Sequence, residues 1–92
     1  MKANELEVGE LYRFIQLENG EFEFDHVDAT MGNSHRFMAN GRKVISAGYV
    51  SIKRDSIKVP EPWSSTLGIG CNEQTYKDLE KTLGKRVKDK FE

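Results

Sequence analysis

The chain has 92 residues, 37% hydrophobic and 32% charged, with a formal net charge of -1. That size holds one domain with one modest core, and the short apolar runs exclude a membrane-spanning helix. Met1-Lys2 leads into acidic sequence rather than an apolar signal core and Cys71 is the only cysteine, so a cytoplasmic protein without disulfides is expected.

Leu11 to Leu17 is apolar on both faces and reads as a central strand. Asn19-Gly20 then supplies the positive φ angles of a tight hairpin turn. In the returning strand, residues 21–27, Phe22, Phe24 and His26 share one face while Glu21, Glu23 and Asp25 share the other. A loop over Thr30 to Ser34 precedes a predicted short strand from His35 to Ala39. A second Asn-Gly step, Asn40-Gly41, predicts another hairpin, joining residues near 35–39 to 42–53. The long strand after it places Val44, Val50 and Ile52 opposite Ile45, Ala47 and Tyr49, and Gly48 marks a bulge or bend within it.

Ile57 to Val59 forms a further strand, after which Pro60 and Pro62 withhold backbone donors and imply an edge or an exit. Ser64 to Ile69 reads as a last weak strand. Asn72 is placed to cap a helix whose apolar face is Tyr76, Leu79 and Leu83 and whose stop is Gly84. Residues 85–92 form a tail or a short strand. Five to six short antiparallel strands with one C-terminal helix make an α+β domain, as a small antiparallel sheet or an SH3-like partly open barrel. The opening Val8-Gly9-Glu10-Leu11-Tyr12 together with Gly48 resembles the start of such a barrel, which implies a fold and no function. Ser46-Ala47-Gly48-Tyr49-Val50 followed by Ser65-Thr66-Leu67-Gly68-Ile69-Gly70 resembles small uncharacterised phage and bacterial proteins. No activity travels with that resemblance.

Cys71 with His26 or His35 supplies a nucleophile and a base by composition, but no hydrolase motif surrounds the cysteine, and a packed thiol is the simpler reading. His26, Asp28 and His35 are ligand types for zinc or manganese, yet strand alternation turns Asp25 away from His26 and splits the cluster. No metal and no cofactor is therefore expected.

Gly68, Gly70 and Asn72 lie where a strand enters a helix, the setting in which backbone amides cradle an anion, but no phosphate-loop lysine accompanies them. Residues 1–30 carry a net -6 and residues 31–60 a net +5. Arg36, Arg42, Lys53, Arg54 and Lys58 could thus form a nucleic-acid face near Phe37, Tyr49 and Trp63, or pair across the sheet with Glu21, Glu23 and Asp25. The second arrangement is the simpler. Trp63, between Pro62 and Ser64, is either a protein-contact residue together with Tyr49 or a lid on the core. The expectation is a non-enzymatic module that binds a protein partner or itself, as a phage or mobile-element accessory protein would, with nucleic-acid or nucleotide binding as the alternative.

Overall fold

In the computed structural model, which describes residues 1–27 and 34–88, β1 (Leu11–Leu17) and β2 (Phe22–His26) form the first predicted hairpin. The Gly20 amide donates to Leu17 O at 2.8 Å, the Leu17 amide donates to Glu21 O at 2.8 Å, and Gly20 takes φ +94° while Asn19 stays negative. The connection is thus a three-residue turn closed by a left-handed glycine, one residue longer than the two-residue form.

The second Asn-Gly step works differently. Residues His35–Ala39 form a helix, α1, rather than the predicted strand, and no hairpin joins them to residues 42–53. Asn40 and Gly41 still adopt positive φ, +49° and +79°. Left-handed backbone ends a helix as readily as it turns a hairpin, and here the Asn40 amide caps Arg36 O at 3.2 Å. At the other end Ser34 Oγ accepts from the Phe37 amide at 3.2 Å, so a short segment with caps at both ends prefers one helical turn and a half.

β3 (Val44–Ile52) lies beside β1, and β4 (Ser56–Glu61) beside β3, both antiparallel. Register shifts fall between Gln16 and Leu17 and between Tyr49 and Ser51, the latter just past Gly48. The predicted last strand over residues 64–69 divides into β5 (Trp63–Ser64) and β6 (Ile69–Gly70), a separate two-stranded sheet closed by left-handed Gly68. α2 (Glu73–Leu83) is capped by Asn72 and ended by Gly84 as predicted.

The tail then forms β7 (Arg86–Lys88), which pairs parallel with β4. The sheet order is β2-β1-β3-β4-β7, so the architecture is α+β with a mixed, partly open sheet and not a closed barrel. The parallel strand arises because α2 acts as a crossover, returning the chain beside β4 in the direction it began. Pro60 sits in β4 beyond the three residues that β7 pairs, where no ladder donor is required of it.

Tyr76 and Leu79 of α2 pack on the sheet face that presents Tyr12, Phe14, Phe24, Val50, Ile52 and Ile57, and Val87 closes the same core from β7. α1 covers part of the other face, where Ile15 and its cross-strand neighbour Ala47 are buried. Among the described residues no helix is long and apolar enough to cross a membrane.

Candidate functional site

On the α1 face, pairing places four side chains in one row across four strands: Asp25 opposite Arg13, Arg13 opposite Tyr49, and Tyr49 opposite Glu61. Arg13 leans over its aromatic neighbour, with Cζ 5.7 Å from the Tyr49 ring centroid. His35, at the start of α1, meets the same ring edge-on at 5.0 Å and donates from Nε2 to Gly48 O at 2.8 Å. Asp25 does not form an ion pair with Arg13; its Oδ1 accepts from the His26 amide at 2.9 Å. Arg13 Nη1 reaches His26 O at 3.5 Å, and its buried Nε has no hydrogen-bond partner among the described residues. Beside this row lies a cleft of about 370 Å³ lined by Leu11, Tyr49, Pro60 and Glu61.

His35 is 2% exposed, and burial holds its imidazole below the usual pKa of 6.5. The bond to Gly48 O opposes that shift and the Arg13 guanidinium reinforces it. A histidine depressed in the folded state contributes stability that is complete above its unfolded value and is lost as pH falls through that value toward the folded one. Acidification from pH 7.5 to pH 5 should therefore lower the urea midpoint, and His35→Gln should remove part of that slope. An identical pH profile in wild type and variant would show that His35 is not held neutral by the fold.

Cys71 lies on the opposite side of the sheet. Its thiol donates to Ala47 O at 3.4 Å and sits 3.2 Å from where a Gly48 Cβ would stand, on the face that carries Phe14. Burial pushes it up to about 12, so the nucleophilic thiolate is absent near neutral pH. His35 packs across the sheet from it, and His26 is exposed at the end of β2 with its ring 5.1 Å from Tyr12. Nucleophile and base are not brought together. Among the described residues no group of three His, Cys, Asp or Glu could hold a metal, and Asp28, of the considered ligand set, lies outside them.

Arg42 is committed within the fold. Its guanidinium grips both Glu23 oxygens at 2.6 and 2.7 Å, and it also donates to Met38 O and Ala39 O. The Arg42 hydrogen bonds hold the Glu23 carboxyl below its ordinary value. Arg36 donates to Thr66 O at 3.1 Å from its guanidinium and to Thr66 Oγ1 from its amide. Lys53 O receives the Lys85 ammonium at 2.6 Å at the turn that also carries Arg54, and Lys58 lies within β4. Arg42 and Lys53 lie beyond opposite ends of β3, whose nine residues span roughly 26 Å at a strand's rise. The five basic residues therefore do not converge on one spot.

The glycine turn is likewise occupied by its own backbone. The Gly68 amide donates to Ser64 O at 2.7 Å. Asn72 Oδ1 accepts from the Thr75 amide at 3.0 Å while Thr75 Oγ1 accepts from the Asn72 amide at 3.1 Å, a reciprocal box that satisfies two helix-end donors internally. Gly70 lies under Trp63, where a Cβ would come within 2.8 Å of the indole and 2.6 Å of Pro62 O. Trp63 stands 50% exposed and outside the main core cluster.

The residues that sequence reasoning did not assemble are Arg13, Glu61 and His35 around Tyr49. Alternation puts Arg13 and Tyr49 on a defined face of each strand, but only the register makes them neighbours. Comparison with protein-family models, curated proteins and solved structures finds no match, so any reading of function rests on the chain's own residues.

Proposed function

We propose that the protein is a small non-enzymatic binding module of the cytoplasm that acts through protein contact, with Trp63 and Tyr49 in the contact surface. The carrying observation is a half-exposed indole fixed in place by Gly70 beneath it and Pro62 before it. An aromatic ordered before binding gives up little entropy on association, which is why such side chains concentrate binding energy. An accessory role in a phage or mobile element belongs to the same proposal and draws on no match to a known protein.

Trp63→Ala should leave the unfolding free energy, read from urea denaturation, within about 0.5 kcal/mol of wild type, as surface substitutions do, while weakening association. Sedimentation velocity over a concentration series reads self-association, and retention of a partner from the native host reads a heteromeric contact. A wild-type protein that stays monomeric and partnerless, with a variant that merely unfolds, would remove Trp63 from the contact surface. Nucleic-acid or phosphate binding is the weaker reading, because Arg42 is neutralised by Glu23 and the remaining basic residues are dispersed. Oligonucleotide binding that falls steeply with added salt would restore it.

A further inference from the structure

Pro60-Glu61-Pro62-Trp63 carries two features on one stretch of chain: the half-exposed indole and, just before it, one wall of the cleft beside Tyr49. Both prolines restrict the backbone, so the wall is formed before any partner arrives. At about 370 Å³ the cleft lies toward the small end of ligand sites and suits a single side chain better than a large cofactor. Leu11, which is 38% exposed, and Pro60 give it aliphatic walls, Tyr49 an aromatic flank and Glu61 one anionic group.

Glu61 enters neither salt bridge found among the described residues. Arg13 and Glu61 adjoin Tyr49 from β1 and β4 respectively, and the Arg13 guanidinium lies over the Tyr49 ring. The cleft therefore combines apolar walls with a carboxylate that no salt bridge among the described residues engages. A wholly apolar guest would desolvate that carboxylate without replacing its hydrogen bonds, and an anionic guest would be repelled by it.

We propose that the cleft receives an arginine side chain of a protein partner, its aliphatic stem between Leu11 and Pro60, its planar head along Tyr49 and its N–H fork on the Glu61 carboxylate. Arginine fits each surface in turn: the stem buries methylenes, the guanidinium stacks on aromatic rings, and two parallel N–H groups match one carboxylate. Lysine offers a point charge without the plane. The inference rests on the protein-contact reading for the nature of the partner and adds the chemistry that the partner must present.

The test titrates the intact chain with N-acetyl-arginine-N-methylamide, followed by NMR. Saturable shifts should centre on Leu11, Tyr49 and Glu61. Glu61→Gln, an exposed position that leaves the fold intact, should weaken binding about tenfold through loss of the charge-assisted pair. The matching glutamate compound should give no saturable shift, and the norleucine and lysine compounds should bind more weakly than arginine. Shifts that do not saturate, a Glu61→Gln variant that binds as wild type, or equal binding of norleucine or lysine would overturn the assignment. If the arginine compound fails while Trp63→Ala still weakens association, the cleft is removed and the contact reading stands. If it binds while no association is found, the contact reading falls, and with it the protein partner as the source of the arginine, while the cleft's selectivity for arginine stands.

Discussion

Leu79→Ala should lower the stability of the fold by about 2–5 kcal/mol, the cost of emptying a fully buried leucine site. Leu79 is 0% exposed and joins Tyr76 in the cluster that α2 makes with Tyr12, Phe14, Val50 and Ile57. The effect should spread beyond the helix. The Val87 amide of β7 donates to Glu80 Oε2 at 2.8 Å, so the seat of the parallel edge strand depends on how α2 is seated. Urea denaturation followed by circular dichroism measures the first effect, and faster hydrogen exchange at the β7 amides measures the second. An unchanged midpoint would mean that α2 is not part of the cooperative fold.

That helix was legible in the sequence because several local signals agreed: Asn72 at the cap, Glu73 in the first turn, apolar residues at 76, 79 and 83, and Gly84 at the stop. The first hairpin was legible for the same reason, since a turn dipeptide separated two strand-like runs. Asn40-Gly41 shows the limit of local reasoning. The positive φ angles are present, but what precedes them decides between a hairpin and a helix end, and in residues 34–39 the decisive signal was Ser34 as a cap. A short strand was one of the two readings of residues 85–92, but the parallel pairing of β7 was not legible, because its three residues gain their place only by lying against Ser56, Ile57 and Lys58.

Within strands, the residues whose roles were missed are those defined by partners distant in sequence. Gln16 interrupts an apolar run yet is 2% exposed, accepting from Ser46 Oγ and donating to Asp78 Oδ2, both at 2.8 Å. Its hydrogen bond, with a second from Gln74, holds the Asp78 carboxyl below the ordinary range. A buried amide satisfied from β3 and α2 at once is compatible with a core, whereas an unsatisfied one is costly. The candidate site has the same character. Tyr49 was singled out as a contact residue, but the cation on one side of it and the carboxylate on the other come from strands 36 residues earlier and 12 later, so only the register brings them together.

Gly48→Ala should destabilise the protein by about 1–3 kcal/mol, and Gly48→Val by more, although replacing glycine in an unobstructed strand is normally favourable. Gly48 does not need a left-handed backbone, so its conformation alone would accept a side chain. Space is what it lacks: a Cβ would stand 2.8 Å from Glu61 O, 3.2 Å from Cys71 Sγ and 3.3 Å from Phe14 Cε2. The nearest obstacle is backbone, which cannot swing aside as a side-chain end can. Cys71→Ala in the Gly48→Ala background should therefore recover little of the loss, since it relieves the second contact and leaves the first. Because the obstructing carbonyl belongs to Glu61, the substitution should also displace the cleft wall, weakening arginine binding and shifting the Glu61 amide in NMR spectra. Urea midpoints of the single and double variants decide the matter. A Gly48→Ala protein as stable as wild type would mean that β3 and the end of β4 are not so closely packed, and would withdraw the glycine as the residue that lets that wall approach the sheet.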